Sequence, residues 1–362
     1  MDFDNKISIR QIIAIFLIGI ASPVIRVIPR YCSQLAQSAS WVTTIIAPLI
    51  FLVLLYILNS LLCKNNSSDS LEDVFIKVFG KFIGKTTVYV YIVWLILMFS
   101  VYLRYFADRI TSSIFVATPN TFFITTILFI IFIVVRRDIK FFARYIDFIL
   151  LIFVVFLFTS FFISIPSINI KNLLPVTIYD TGKIMYATIP LMAVLGYITY
   201  MFFIGDKISN KKDFKSHFPK IVITVMLTSL MVIFLTVGVL GHKLTESLNL
   251  PFFVFFKNIE ILGIFERIES VLITFWIVTD FCIITMFAYI SVKLIKKNLE
   301  LKSTKQIVTP VLCISYILSQ DIGSNIFEIN SLSERILVPG NLILGCIMPL
   351  ILLIIGKIRK KV

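Results

Sequence analysis

The chain is poor in the residues that usually build metal sites and catalytic centres. It contains two histidines, His217 and His242, and five cysteines that are spread along its length without a CxxC pair. Zinc sites and disulfide frameworks need such residues at close, regular spacing. No nucleophile, base and orienting group can be assembled from the remaining residues. We therefore expect a protein that is not an enzyme and that uses no cofactor or metal ion.

Charged residues are also scarce, at 15% of the 362 residues, whereas 59% are hydrophobic. This balance lies far outside the soluble range and indicates an all-α integral membrane protein. A sliding window of about 19 residues predicts ten transmembrane helices. They cover residues 9–29, 40–62, 84–106, 119–135, 143–165, 184–205, 218–241, 268–292, 306–320 and 336–356. The ninth is the weakest, because Pro310 and a polar end shorten it.

The basic residues predict the orientation of these helices. If the N-terminus is cytoplasmic, most of the 34 lysines and arginines fall in cytoplasmic segments, and every internal cytoplasmic loop is basic. Ten spans then place both termini in the cytoplasm. The net charge of +14 suits anionic lipid headgroups and requires no nucleic acid.

Helix-breaking residues interrupt two of the predicted spans. The first contains Gly19, Ser22 and Pro23, in the run GIASP, and the sixth contains Pro190 and Gly196. Breaks at membrane depth are tolerated where the freed backbone faces protein or a cavity. A matched pair predicts a single membrane domain, residues 1–362, made of two inverted five-helix halves, 9–165 and 184–356, with a binding site near the midplane. Simple kinks are the alternative interpretation.

One carboxylate, Asp280, lies near the centre of the apolar run that begins at Phe265. Such a residue is costly in the membrane and is tolerated when it faces a partner, a cavity or an ion. It either has a functional or coupling role or is a hydrogen-bonded structural carboxylate. Shorter helices are predicted in two loops, one capped by Ser70 and one beginning near Pro251. The second is either an interfacial lid or a gate.

Several stretches resemble the B subunit of spore germinant receptors, the GerAB-type spore germination permease family. The most specific is the run from Pro251 to Tyr289, with FFKNIEILGIFERIES followed by an apolar span. Residues 70–85, 136–148 and 172–176 also resemble the family. The family is similar in turn to the amino acid, polyamine and organocation (APC) transporters, which share a fold of five plus five inverted helices with broken first and sixth helices.

This resemblance implies a germinant-sensing subunit that recognises a small molecule, commonly an amino acid, in a midplane pocket. Its partners would be a membrane A subunit and a lipoprotein C subunit in the inner membrane of the endospore. An autonomous amino-acid/cation transporter and a pure scaffold for the other subunits are the alternatives.

The site is expected at the two breaks and on the helices beside them. Half-helix ends at the first break suit the ligand carboxylate, and the sixth break would form the wall around the ligand side chain. The third span carries an aromatic stripe at helical spacing, which is more often packing than ligand contact. The candidate ligand-binding residues are Gly19, Ser22, Pro23, Tyr91, Met98, Pro190, Leu191, Leu195, Gly196, Thr279 and Asp280.

Overall fold

Helices make up nearly all of the regular structure in the computed structural model, which describes residues 6–62, 69–113, 115–257, 268–323 and 326–361. Phe265, Glu266 and Arg267, in the most specific part of the sequence resemblance, lie outside these residues. The helices are α1 (Ile9–Arg26), α2 (Ile28–Ala36), α3 (Thr43–Leu62), α4 (Leu71–Phe79), α5 (Lys81–Ser113), α6 (Asn120–Val135), α7 (Ile139–Ser164), α8 (Thr181–Leu195), α9 (Tyr197–Met201), α10 (Phe218–Leu240), α11 (His242–Ser247), α12 (Pro251–Lys257), α13 (Ile268–Asn298), α14 (Lys305–Asp321), α15 (Ile326–Leu332), α16 (Val338–Asn341) and α17 (Met348–Ile358).

Eight stretches of the described residues are long and apolar enough to cross a membrane. They are Ile9–Arg26, Ile28–Leu62, Lys81–Ser113, Ile139–Ser167, Ile178–Lys207, Lys211–Leu240, Val271–Asn298 and Ile326–Ile358. The predicted fourth span is the shorter apolar helix α6, with 16 residues, and the ninth is α14, with 17. The chain is thus an all-α, multi-pass membrane protein.

The first span is interrupted, but not at the residues that the sequence indicated. Helix α1 continues through Pro23 and ends at Arg26, so the prediction of a break at Gly19 to Pro23 is wrong in its position. A single missing N–H is tolerated in a helix that is packed among neighbours. The interruption lies at Val27, just before a second proline, Pro29, which occupies the first turn of α2.

The sixth span is interrupted at Gly196, one of the two breakers that the sequence indicated, whereas the other, Pro190, lies inside α8. Helix α8 ends at Leu195, Gly196 caps it, and α9 continues for five residues before tightening into a 3₁₀ segment, Phe202–Lys207. In the last span, α-helical turns alternate with two π-helical segments, Ser333–Leu337 and Leu342–Ile347. Such wide turns inside helices are frequent at functional sites.

Helix α13 lies at the centre of the bundle and packs against α1 and α5. Helix α1 also packs against α7, and α3 packs against α8 and α10. Most of α1 is buried, as expected for a central helix that has little contact with lipid. The middle of the bundle is therefore formed by α1, α5 and α13, which carry the charged residues described below.

Both described ends of the chain lie at one end of the bundle. Ile7 forms an isolated parallel β-bridge with Ile208: its N–H donates to the carbonyl of Lys207 at 2.9 Å, and its carbonyl accepts from the N–H of Ser209 at 3.0 Å. Near the other terminus, Arg359 Nη1 donates to the carbonyl of Val78 in α4 at 2.8 Å. We call this region the terminal end.

Helix α4 anchors the terminal end through charged contacts. It begins with a capping box between Ser70 and Asp73, as the sequence predicted. Lys297 of α13 forms ion pairs with Asp73 and, at 3.5 Å, with Glu72. Burial raises the pKa of Glu72. Burial acts in the same direction on Asp73, but hydrogen bonds from Lys297 and Ser70 outweigh it and lower the pKa of that carboxyl group.

Candidate functional site

Asp280 is almost fully buried in the middle of the bundle and forms an ion pair with an arginine side chain. Its Oδ2 lies 2.8 Å from Nη1 of Arg109 on α5, and its Oδ1 accepts a hydrogen bond from the hydroxyl of Ser22 on α1. Both carboxylate oxygens are therefore engaged. The contacts join the three central helices, so the ion pair holds α1, α5 and α13 together.

Aromatic rings surround the two buried arginines. The guanidinium of Arg109 lies 4.9 Å from the ring centroid of Trp276, one helical turn before Asp280. Arg26 is one turn beyond Ser22 on α1, and its guanidinium lies 3.3 Å from the ring centroid of Tyr105. Both contacts are cation–π interactions, which strengthen when water is excluded.

Arg26 differs from Arg109 in having no ion pair with a carboxylate among the residues that the structure describes. Hydrogen-bond partners are missing there from the buried Nε and Nη1 of Arg26 and likewise from the guanidinium nitrogens of Arg109, whose Nη1 is within ion-pair distance of Asp280. The described part of this cluster thus contains two guanidinium groups, from Arg26 and Arg109, and one carboxylate, from Asp280. We call these three residues the central charge cluster.

A small cavity of about 20 Å³ lies beside the interruption of the first span, with room for about one water molecule. The prolines of the two interrupted spans, Pro23 and Pro190, line it together with Val27. Its polar lining residues are Arg26, Tyr31, Tyr102, Tyr197, Ser333 and Asn341. We call this space the central cavity; it joins polar groups from the first, third, sixth and last spans.

A second pocket, of about 200 Å³, lies next to the central cavity, farther along α2 from the terminal end. The two share Tyr31, Pro190 and Val338 as lining residues. Its other lining residues include Gln34 and Glu334, which make it more polar than a lipid-facing groove. This outer pocket is placed to serve as an entry to the central cavity if the shared side chains move.

Asn341 connects the lining of the central cavity to the third and sixth spans. Its Oδ1 accepts hydrogen bonds from Tyr200 at 2.8 Å and from Trp94 at 3.0 Å, and its Nδ2 lies 3.4 Å from the hydroxyl of Tyr197. The Tyr197 hydroxyl also lies 3.1 Å from that of Tyr102. A continuous polar network therefore joins the interrupted sixth span to its neighbours.

Gly196 allows the last span to approach this interruption closely. A Cβ built at Gly196 would lie 3.2 Å from the Cα of Gly345, and one built at Gly345 would lie 2.9 Å from the Cα of Gly196. Two backbones can meet this closely only where neither residue carries a side chain. Beside the crossing, the hydroxyl of Thr199 donates to the carbonyl of Gly345 at 2.6 Å.

Of the eleven residues that the sequence proposed as ligand contacts, only the two prolines line the central cavity among the described residues. Ser22 of α1 instead donates its hydroxyl to Asp280 of α13, one turn of α1 before the cavity-lining residue Arg26. Thr279 bonds within its own helix, to the carbonyl of Trp276 at 3.1 Å.

The other proposed residues have packing contacts. Gly19 packs near Ile283 of α13. The Tyr91 hydroxyl donates to the carbonyl of Leu344 at 2.6 Å, and Met98 Sδ lies 3.7 Å from Asn341 Nδ2. Leu191, Leu195 and Gly196 are buried against neighbouring spans.

Sequence reasoning missed both arginines, although spacing could have found them. Tyr102, Tyr105 and Arg109 stand at i, i+3 and i+7 and so share one face of α5, and Arg26 follows Ser22 at i+4. Each basic residue lies near the predicted outer end of a span, and neither was assigned a role from the sequence. In the third span, the aromatic residue that reaches the cavity is Tyr102 rather than Tyr91.

Comparisons with known proteins agree with the resemblance seen in the sequence. The profile of a family described as spore germination protein matches residues 6–325. A curated protein named spore germination protein A2, from Bacillus subtilis (strain 168), is 26% identical over 285 residues, which cover 78% of this chain and 77% of that relative. The profile spans most of the chain, and the predicted family is confirmed. The chain belongs to the spore germination protein family, the GerAB-type spore germination permeases.

Proposed function

We propose that this protein is the germinant-sensing membrane subunit of a spore germination receptor, and that it recognises an amino acid in the central cavity. The observation that carries the proposal is a polar-lined cavity at the interruptions of two buried spans, in a member of the spore germination family. Interrupted helices frame substrate sites in membrane transporters. The ten helices would form two inverted halves of the APC type, with both termini cytoplasmic in the endospore inner membrane.

The size of the central cavity bears on the mechanism. With about 20 Å³ of free space, the described conformation is closed around the site. An amino acid would therefore bind a more open conformation, reached through the outer pocket of about 200 Å³. A ligand that binds one conformation better shifts the population toward it, and this shift would be passed to the A and C subunits to start germination.

Germination of spores whose sole receptor contains this chain tests the proposal. Val338 is shared by the central cavity and the outer pocket, so Val338→Ala enlarges the site. We expect this variant to change the amino acid concentration that is needed, or the amino acid that works. Val93→Ala, on an exposed face of α5, is the matched control. If Val338→Ala and the control respond as the native chain does at equal receptor levels, the site is not in this cavity.

An uptake experiment in vesicles separates a receptor from an autonomous transporter. Vesicles that contain this chain alone are given a radiolabelled amino acid, with and without a proton or sodium gradient. We expect no accumulation above protein-free vesicles. Uptake that depends on the gradient would favour the transporter and contradict a purely sensory role. If spores without the A and C subunits still respond through this chain, the proposed partners are not required.

A further inference from the structure

The central charge cluster has more positive than negative groups at a place where water is excluded. Arg109 takes one oxygen of Asp280 at 2.8 Å, and Ser22 takes the other. Each carboxylate oxygen of Asp280 thus already has a partner, and among the described residues Arg26 forms no ion pair with this carboxylate. Buried charges are costly unless they are paired and hydrogen-bonded, so the second guanidinium calls for an anion.

Arg26 is positioned to meet such an anion from the central cavity. It lines the cavity, is 4% exposed, and leaves Nε and Nη1 without a partner among the described residues. Its guanidinium rests on the ring of Tyr105, which stabilises the charge without using its hydrogen-bond donors. An arginine held in this way can bind the two oxygens of a carboxylate as a planar fork.

The other polar residues of the cavity add no charge that would oppose an anion. The tyrosines Tyr31, Tyr102 and Tyr197 and the amide of Asn341 are uncharged groups, and no described lining residue of this cavity is acidic. Glu334 lines the outer pocket instead and is exposed. The electrostatic field therefore favours an anionic group next to Arg26 and a cationic group toward the outer pocket.

We propose that Arg26 binds the carboxylate of the ligand. The ligands of this chain are then small carboxylates such as amino acids, whereas neutral nucleosides and sugars do not bind. When the carboxylate is bound, two guanidinium groups face two carboxylates, and the buried charge is balanced. The inference rests on the proposed function in placing the ligand in the same cavity. It differs from the expectation that helix ends bind the carboxylate, because it assigns that role to a side chain.

Thermal unfolding of the purified full chain in detergent tests the proposal without spores. The Tm is measured with each of the common L-amino acids and with its amide, at a fixed chloride concentration. Acetate is tested as well, as a carboxylate without an amino group. We expect at least one amino acid to raise the Tm and its amide to leave it unchanged. Arg26→Gln should raise the half-maximal concentration about 10- to 100-fold, the range for losing a charge-assisted hydrogen bond. Arg26→Lys should raise this concentration by a smaller factor, because lysine keeps the positive charge, although it lacks the planar fork of donors.

The matched control is Arg30→Gln, at a residue of α2 that lies four positions after Arg26. Arg30 donates to Asn249 at 3.2 Å and does not line the cavity, so ligand binding should be unchanged. The ligand-free Tm of each variant reports whether it is folded. The proposal is overturned if acids and amides act alike, if folded Arg26→Gln and Arg26→Lys both bind as the native chain does, if chloride alone gives the full shift, or if no amino acid raises the Tm.

The spore assay distinguishes this failure from failure of the proposed function. If native spores germinate with amino acids and Arg26→Gln spores need no higher concentration, the receptor function stands and the carboxylate site is wrong. If the purified chain binds amino acids through Arg26 but spores that depend on it respond to none, the carboxylate site stands and the receptor function is wrong.

Discussion

Replacing Asp280 with asparagine should reveal how strongly the central charge cluster depends on its carboxylate. Asparagine keeps the size of the side chain and can still accept from Ser22, so the change removes charge rather than shape. Arg109, which is 4% exposed, then lacks its ion partner. Removing one partner of a buried pair costs about 3 to 5 kcal/mol. We expect a decrease in the free energy of unfolding near the lower end of this range.

The measurement is unfolding of the purified chain in mixed detergent micelles. Asp321→Asn, at an exposed position at the end of α14, is the control and should change stability by less than about 0.5 kcal/mol. The double variant Asp280→Asn/Arg109→Met removes both charges of the pair and should regain most of the loss, because replacing a whole buried pair is often nearly neutral. The reasoning is refuted if Asp280→Asn costs no more than the control, or if the double variant is less stable than Asp280→Asn.

Three further predictions concern the close helix crossing, the polar network and the terminal end. Gly345→Ala places a Cβ 2.9 Å from the facing backbone and should lower the free energy of unfolding by about 1 to 3 kcal/mol, whereas Gly182→Ala, with open space around it, should not. Asn341→Leu leaves buried donors without an acceptor and should cost about 1 to 3 kcal/mol in the same assay; an unchanged stability would contradict the network. Because the pKa of Asp73 is lowered in the folded chain, its contribution to stability is complete above the unfolded value of 3.8 and disappears as the pH falls through the lower folded value. Asp73→Asn should remove that part of the acid-side decline in a pH series of unfolding experiments, and an unaltered pH profile would show that this carboxyl group is not its source.

Sequence patterns predicted the secondary structure of this chain better than its site. Hydropathy is averaged over a whole span, so it placed every predicted span on helical backbone. The capping pattern at Ser70 and the breaker at Gly196 act over a few residues and were also confirmed. The first interruption was misplaced because a single proline inside a packed helix costs too little to end it, and the second proline, Pro29, was not considered.

The central charge cluster could not be derived from local patterns, because its contacts cross between helices. Asp280 was expected to face a partner, a cavity or an ion and was proposed as a ligand contact, whereas its pairing with Arg109 depends on how α5 and α13 pack along their length. The role of Asn341 depends likewise on π-helical turns in the last span, which no periodicity in the sequence indicated. Side-chain spacing limits which residues share a helix face, whereas tertiary packing decides which faces meet.

The β-bridge at the terminal end has a mechanical consequence for both interrupted spans. Ile7 lies two residues before α1, and Ile208 follows directly after the 3₁₀ segment that ends the sixth span. A third bond, from the N–H of Ile9 to Asn210 Oδ1 at 2.9 Å, strengthens the link. These bonds therefore couple the movements of the two half-spans on this side of the cavity. If the cavity opens by a shift of one half-span, the other half-span must move with it, or the three hydrogen bonds that link them must break.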